Sequence, residues 1–538
     1  MMKATNSEVS GLTDAARDTR IGIGWYLGLL AYFLLISAFF IRFYQHEMDV
    51  DGTSYISLAY KYLAGDFKNA VTGHWAPLIS WLMVPFLYFD LEPILAFRVA
   101  SAVIGIATMA GIDRLLLELR IRKSLRLWYL VSLSPVIAWY AENDVGSDLL
   151  CACALIMYLL VVLRDSYQNN RCLGMLSGLM AALCYLAKNY NFYFFFLHFT
   201  CLNLCYWTRA TTNDQKRTIA ANFISAILVF ALVGGTWIGL ISNKYHKFTV
   251  GTAGDMTLLL LKVGPAGYPM LKDGFFSPPN DTAMSAWEDP AQIKFESWSP
   301  LNSADDFTVY LKGVLNNISK FLRGILLNYI FALTITYYAT MLFFFKKEFD
   351  KKIYYVLMTA LLYPIGYLVL YYDGQRYIWL STILLYVLSA YAINRKSVEY
   401  GNSNSRIYKY CLPGVLCISL LALTVIRVNR DYKLDVSEMD ELYKTSREIA
   451  KHLDMKNKNI ASQDGNWNHT LDLSYFLKAR YFGLARADEA NAQLRKELLD
   501  LHIQYYFVFG RLRNNLDILK PEMQLHGLTI YKVLPTKT

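Results

Sequence analysis

The run His46-Glu-Met-Asp-Val-Asp-Gly-Thr-Ser-Tyr55 sets two carboxylates, Asp49 and Asp51, just beyond the first long apolar stretch of the chain. A carboxylate at the mouth of a membrane helix can act as a general base toward an incoming hydroxyl. Other ionisable residues sit at the ends of later apolar runs: His74, Glu142, Asp144, Asp148, Lys188, Asp373 and Arg376, with Arg98 about a turn and a half inside one. An ionised side chain at mid-bilayer costs roughly 2.5–3.5 kcal/mol, so such residues face a cavity or a partner. Lys and Arg bind phosphate, Arg in bidentate fashion. Moving a sugar off a lipid-linked phosphate needs one base and cationic phosphate ligands. It needs no strong acid, because the phosphate departs as a stable anion.

The composition supports a membrane setting for this inventory. The 538 residues are 55% apolar and 15% aromatic. Only 18% are charged, against about 25% in ordinary soluble domains. The formal charge of +10 does not indicate nucleic-acid binding, because the basic residues lie in short loops between apolar runs. The eight cysteines fall mostly inside apolar runs without metal-ligand spacing and read as small buried hydrophobes. Trp25 to Phe43 is long enough to remain as a signal anchor.

Apolar length predicts about eleven spans: 24–43, 93–115, 125–141, 148–163, 173–187, 192–207, 219–241, 321–345, 353–371, 378–394 and 411–427. As one helix, residues 173–207 would run about 50 Å, far beyond a core of about 30 Å. A hairpin broken at Lys188-Asn-Tyr-Asn191 also keeps the Lys/Arg-rich loops on the side of the N-terminus, as the positive-inside bias requires. The expected organisation is a cytoplasmic tail (1–23), a transmembrane domain (24–427) and an extracytoplasmic α/β domain (428–538). The first outer loop, 44–92, holds two amphipathic helices, the second an interfacial one with Trp75 and Trp81 at headgroup level. Loop 242–320, with Gly, Pro, Trp287 and Trp298, is too long for a passive connector and reads as a lid or acceptor-binding loop. Three Asn-X-Ser/Thr triplets, at Asn280, Asn317 and Asn468, fall on the outer side.

A family resemblance follows from the order of these motifs. The run Asp51 to Ala59, then Gly65-Asp66, then His74-Trp-Ala-Pro-Leu-Ile-Ser-Trp81, resembles the first outer loop of GT-C superfamily glycosyltransferases. It is most similar to the protein-mannosyltransferase-like and lipid A aminoarabinose-transferase-like branch. Arg98 in Phe97-Arg-Val-Ala-Ser101, Ser134-Pro135, Asp148-Leu-Leu150, Gly178 to Lys188 and Gln375-Arg-Tyr377 resemble that branch's later motifs. The resemblance covers about residues 25–400. It implies a polyprenyl-phosphate sugar donor, an inverting displacement, Asp51 as catalytic base, and Lys188, Arg376 and Arg98 near the donor phosphate. Asp49, Tyr55, His74, Glu142, Asp144 and Asp148 would line the substrate pocket. A divalent cation is a possible cofactor. Only Asp51 fits the Asp-x-x-x-Tyr register, however, so the Asp49–Asp51 spacing is poor evidence for a nucleotide-sugar metal site.

Other roles fit the same residues. Asp51 could cap a helix before Thr53-Ser54, Asp148 could cap the fourth span, Lys188 could snorkel, and Arg376 could pair with Asp373. The acceptor would be a glycan, lipid or protein, and the expected location is a bacterial cytoplasmic membrane. A transporter or flippase of a lipid-linked sugar would show inverted repeats and broken mid-membrane helices. A non-catalytic scaffold would leave the clustered charges unexplained.

Overall fold

The computed structural model describes residues 21–272, 274–293, 298–326, 329–344, 351–372, 374–399, 406–463, 467–525 and 527–535. The N-terminal tail to residue 20, Lys346, Lys347 and Asp373 fall outside them. The fold is mostly helical, with a small mixed sheet at its C-terminal end. Six described helices are long and apolar enough to cross a membrane, and three shorter apolar ones accompany them.

The first helix, α1 (Ile23–Phe43), leaves Trp25, Leu27, Leu35 and Phe39 exposed, an apolar surface suited to lipid rather than water. The segment 44–92 holds α2 (Val50–Leu63) and α3 (Leu78–Tyr88), both too short to span. Then come α4 (Pro93–Glu118), α5 (Lys123–Glu142) and α6 (Asp148–Val162). The expected hairpin forms as α7 (Cys172–Ala187) and α8 (Asn191–Arg209). Lys188 turns extended at the corner, and Asn191 Nδ2 donates to the Cys184 carbonyl at 2.7 Å, satisfying an orphan acceptor of the α7 end. Along α7, Gly174 and Gly178 press on α9 (Asn213–Tyr245), where a Cβ at Gly178 would strike the Ala226 carbonyl.

The span expected at 321–345 differs. The chain forms α11 (Ala304–Leu326), which starts well before it, and α12 (Tyr329–Phe344), with α10 (Ala253–Val263) earlier in the 242–320 segment. Charges at Asp305, Asp306, Lys312 and Lys320 alternate with apolar residues along α11, so its pattern is amphipathic and hid its start from a search for continuous apolarity. The span expected at 353–371 is broken at Pro364 into α13 (Lys351–Leu362) and α14 (Ile365–Val369). Tyr190 donates its hydroxyl to the Tyr363 carbonyl at 2.5 Å beside that break. A turn at Gln375–Ile378 leads into α15 (Trp379–Glu399).

The last apolar helix, α16 (Leu412–Asp431), continues through a π-helical turn into α17 (Ser437–His452). Beyond it lie α18 (Trp467–Phe476) and α19 (Asn491–Asp500). They flank a sheet of order β1-β3-β2-β4-β6-β5. Its strands are β1 (Gly274–Phe275), β2 (Asn459–Gln463), β3 (Arg480–Leu484), β4 (Tyr505–Phe509), β5 (Leu519–Leu525) and β6 (Leu528–Val533). The strands expected near 458–462, 502–510 and 528–534 are present. Strand β1 comes from the 242–320 loop and pairs antiparallel with β3, so that loop is woven into the C-terminal sheet.

Candidate active site

Helix α2 begins the site. Asp49 caps it, its Oδ1 accepting the Gly52 N–H at 2.9 Å. The cap, the alternative role weighed for Asp51, therefore belongs to Asp49, and Asp51 occupies the first turn with its carboxylate free for other contacts. Gly52 is required for close approach: a Cβ there would lie 2.7 Å from Val145 Cβ. The start of α2 thus rests against the 143–147 loop, and Asp144 comes alongside.

Arg376 joins these carboxylates. Its Nη1 meets Asp49 Oδ2 at 2.8 Å and Asp144 Oδ2 at 2.9 Å, and its Nη2 meets Asp51 Oδ2 at 3.0 Å. One guanidinium therefore serves three acids. Desolvation, then the like charges of Asp144 and Asp51, pushes the Asp49 carboxyl well above the usual carboxylate range. Asp51 has a second ligand, because Trp287 Nε1 donates to its Oδ1 at 3.1 Å. Among the described residues, no group of three or more His, Cys, Asp or Glu side chains is arranged to hold a metal ion.

A second cation faces the same cavity, whose volume is about 580 Å³. Lys188 pairs with Asp148 at the start of α6, and its ammonium lies 4.7 Å from the Tyr377 ring centroid and 5.5 Å from that of Tyr367. Tyr55 meets Ser147 Oγ at 3.2 Å and so ties α2 to the start of α6. His74 stacks edge-on against Trp75, 4.4 Å between centroids, and burial pushes its imidazole down to about 4. That ring is neutral near pH 7 and a poor proton acceptor.

Two solved structures of ArnT from Cupriavidus metallidurans, one bound to undecaprenyl phosphate and one apo, superpose at TM-scores of 0.54 and 0.55. Each is 11% identical, and the matches cover 95% of this chain and 98% of theirs. The Archaeoglobus fulgidus oligosaccharyltransferase, in complex with Zn and sulfate, matches at TM-score 0.52 and 11% identity, over 89% of this chain and 67% of its own. The chain has the GT-C fold. No protein-family model matches the sequence, and no curated protein matches it.

Within this GT-C fold, Asp49, Asp51, Asp144 and Arg376 form one cluster, and Tyr55, His74, Asp148 and Lys188 line the adjoining cavity. Two expected residues lie elsewhere. Arg98 is buried behind the wall, where its Nη2 donates to the carbonyls of Tyr44 at 2.9 Å and Glu47 at 2.5 Å. It braces the segment before Asp49 and is absent from the cavity lining. Glu142 is fully buried and also absent from the lining, so it is no pocket residue. Arg376, expected to face phosphate, instead directs both Nη atoms at carboxylates.

Sequence reasoning missed Trp287, Tyr268 and the C-terminal residues Trp467 and Asp472 as parts of the site, all of which line the cavity. The Trp287 and Trp467 rings lie 6.0 Å apart and close the side away from the helices. Asp472 is buried, and its Oδ1 has no hydrogen-bond partner among the described residues. The aromatic, proline-rich character of 242–320 was the only signal for Trp287. Trp467 and Asp472 left none.

Proposed function

We propose that this chain transfers a sugar from a polyprenyl-phosphate donor to an acceptor hydroxyl on a glycan, lipid or protein, with inversion and with Asp51 as general base. The observation that carries this reading is the Asp51 carboxylate, held by Arg376 and Trp287 on the wall of the cavity that Lys188 also lines. Each Asp51 oxygen accepts one hydrogen bond and keeps a lone pair for the acceptor proton. The proton passes to that oxygen as the acceptor oxygen bonds to the sugar C1. The bond from C1 to the phosphate oxygen breaks, and its electron pair leaves with the polyprenyl phosphate. Lys188 is the cation positioned to neutralise the departing phosphate, while Arg376 keeps Asp51 oriented. The undecaprenyl phosphate bound to ArnT of the same fold supports a lipid phosphate here. The site lies at the outer face of a bacterial cytoplasmic membrane, and residues 428–538 form the extracytoplasmic domain.

Asp51→Asn, produced at normal abundance, should abolish sugar transfer by the full-length protein in membranes. Transfer at the wild-type rate would remove Asp51 from this role.

A further inference from the structure

The segment Ser285–Gln292 carries Trp287 and is anchored just after it by two buried carboxylates. Glu288 is 2% exposed and forms an ion pair with Lys61, itself 4% exposed, while Ser57 Oγ donates to Glu288 Oε2 at 2.5 Å. Asp289 is 3% exposed. It meets Lys244 Nζ at 2.7 Å through Oδ2 and accepts the Tyr245 hydroxyl at 2.6 Å through Oδ1. Lys61 and Ser57 belong to α2, the helix that carries Asp51. Lys244 and Tyr245 end α9, and Lys244 also donates to the Val71 carbonyl at 2.5 Å.

These anchors have no part in binding phosphate or moving a proton. Their geometric result is that Trp287 cannot swing away from α2. Its carbonyl accepts Trp75 Nε1 at 3.1 Å, and its own Nε1 reaches Asp51 Oδ1. Arg376 holds the other oxygen of the same carboxylate. Two donors at opposite oxygens fix the rotation of a carboxylate that a single donor would leave free.

We propose that Trp287 is a positioning residue for Asp51 and that the Lys61–Glu288 and Lys244–Asp289 pairs are the clamp that keeps its indole N–H on that carboxylate. This rests on the reading of Asp51 as base. Buried ion pairs suit such a clamp, because removal of one partner leaves an uncompensated charge that forces the segment to rearrange.

The test uses full-length protein in detergent, with the lipid-linked sugar fraction of its native membrane as donor. Trp287→Phe keeps the ring and removes the donor. The expected result is a kcat lowered about tenfold or more, the usual scale for a hydrogen bond to a charged group, with donor KM within about twofold of wild type. Trp287→His, which retains a ring N–H, should recover part of the loss. Glu288→Gln should speed amide exchange across 285–292 and lower kcat by a similar factor, and it should add little to the loss in Trp287→Phe. Wild-type kcat in Trp287→Phe, or faster exchange in Glu288→Gln without loss of kcat, would overturn the proposal. An inactive Asp51→Asn beside a fully active Trp287→Phe would sink the positioning role alone, whereas an active Asp51→Asn would remove its premise.

Discussion

Arg376 and Asp51 stand 325 residues apart in the chain, yet Nη2 of the first donates to Oδ2 of the second at 3.0 Å. The same guanidinium spans Asp49 and Asp144, so a turn before a late helix organises the start of an early one.

Replacing this fork should be costly even when the charge is kept. Arg376→Lys offers an ammonium in place of a planar guanidinium and cannot hold three carboxylates in one arrangement. The transfer rate should fall about 100-fold, the scale of a small misplacement of a reacting group. Initial rates at saturating donor check this, and a Lys variant within twofold of wild type would contradict it.

Lys188→Met should act on the donor instead. Loss of a charged hydrogen bond to phosphate is expected to raise donor KM about tenfold or more. It also strands Asp148, so Lys188→Met with Asp148→Asn should restore thermal stability without restoring KM. Steady-state kinetics and thermal unfolding of both variants separate the two effects.

His74 should be silent in the pH profile. Burial holds its imidazole near 4, so it carries no charge change between about pH 5 and 8. His74→Gln should leave the shape of the rate–pH curve unaltered over that range. The loss of a limb would show that the ring titrates in catalysis.

Asp472→Asn should stabilise the protein. Desolvation, then the negative charges of Glu47 and Glu438, pushes the Asp472 carboxyl well above the usual range in the folded state. A raised native pKa favours the protonated fold, so the associated stability is full below the unfolded value and is lost as pH rises through the native one. The Asn variant removes that dependence. Its Tm advantage should therefore be small near pH 4 and grow toward neutral pH. An advantage that shrinks with rising pH would refute the assignment.

Much of the helical layout was legible because bilayer thickness and apolar run length constrain each other strongly. The break at Lys188 followed from length together with the placing of the Lys/Arg-rich loops, and the structure bends the chain there. Asp49 and Asp51 were visible as a pair and the Asp-x-x-x-Tyr register singled out Asp51, but the capping of α2 by Asp49 was not legible, since it shows only in the contacts that carboxylate makes. Arg98 misled because a buried arginine reads alike whether it faces a cavity or a pair of backbone carbonyls. Trp287 was beyond reach for another reason: its contact with Asp51 bridges 236 residues and comes from a loop without periodicity. Pro364, read only as part of a span, stands at the break between α13 and α14.

Strand β1, lent to the C-terminal sheet by the loop between two helices, makes the C-terminal region hard to excise. A fragment beginning near residue 428 would lack Gly274–Phe275 and leave one edge of β3 with unpaired amides and carbonyls, a template for self-association. The C-terminal region is therefore not a detachable module. Its native form depends on a strap that the membrane half must deliver, which couples maturation of the two halves.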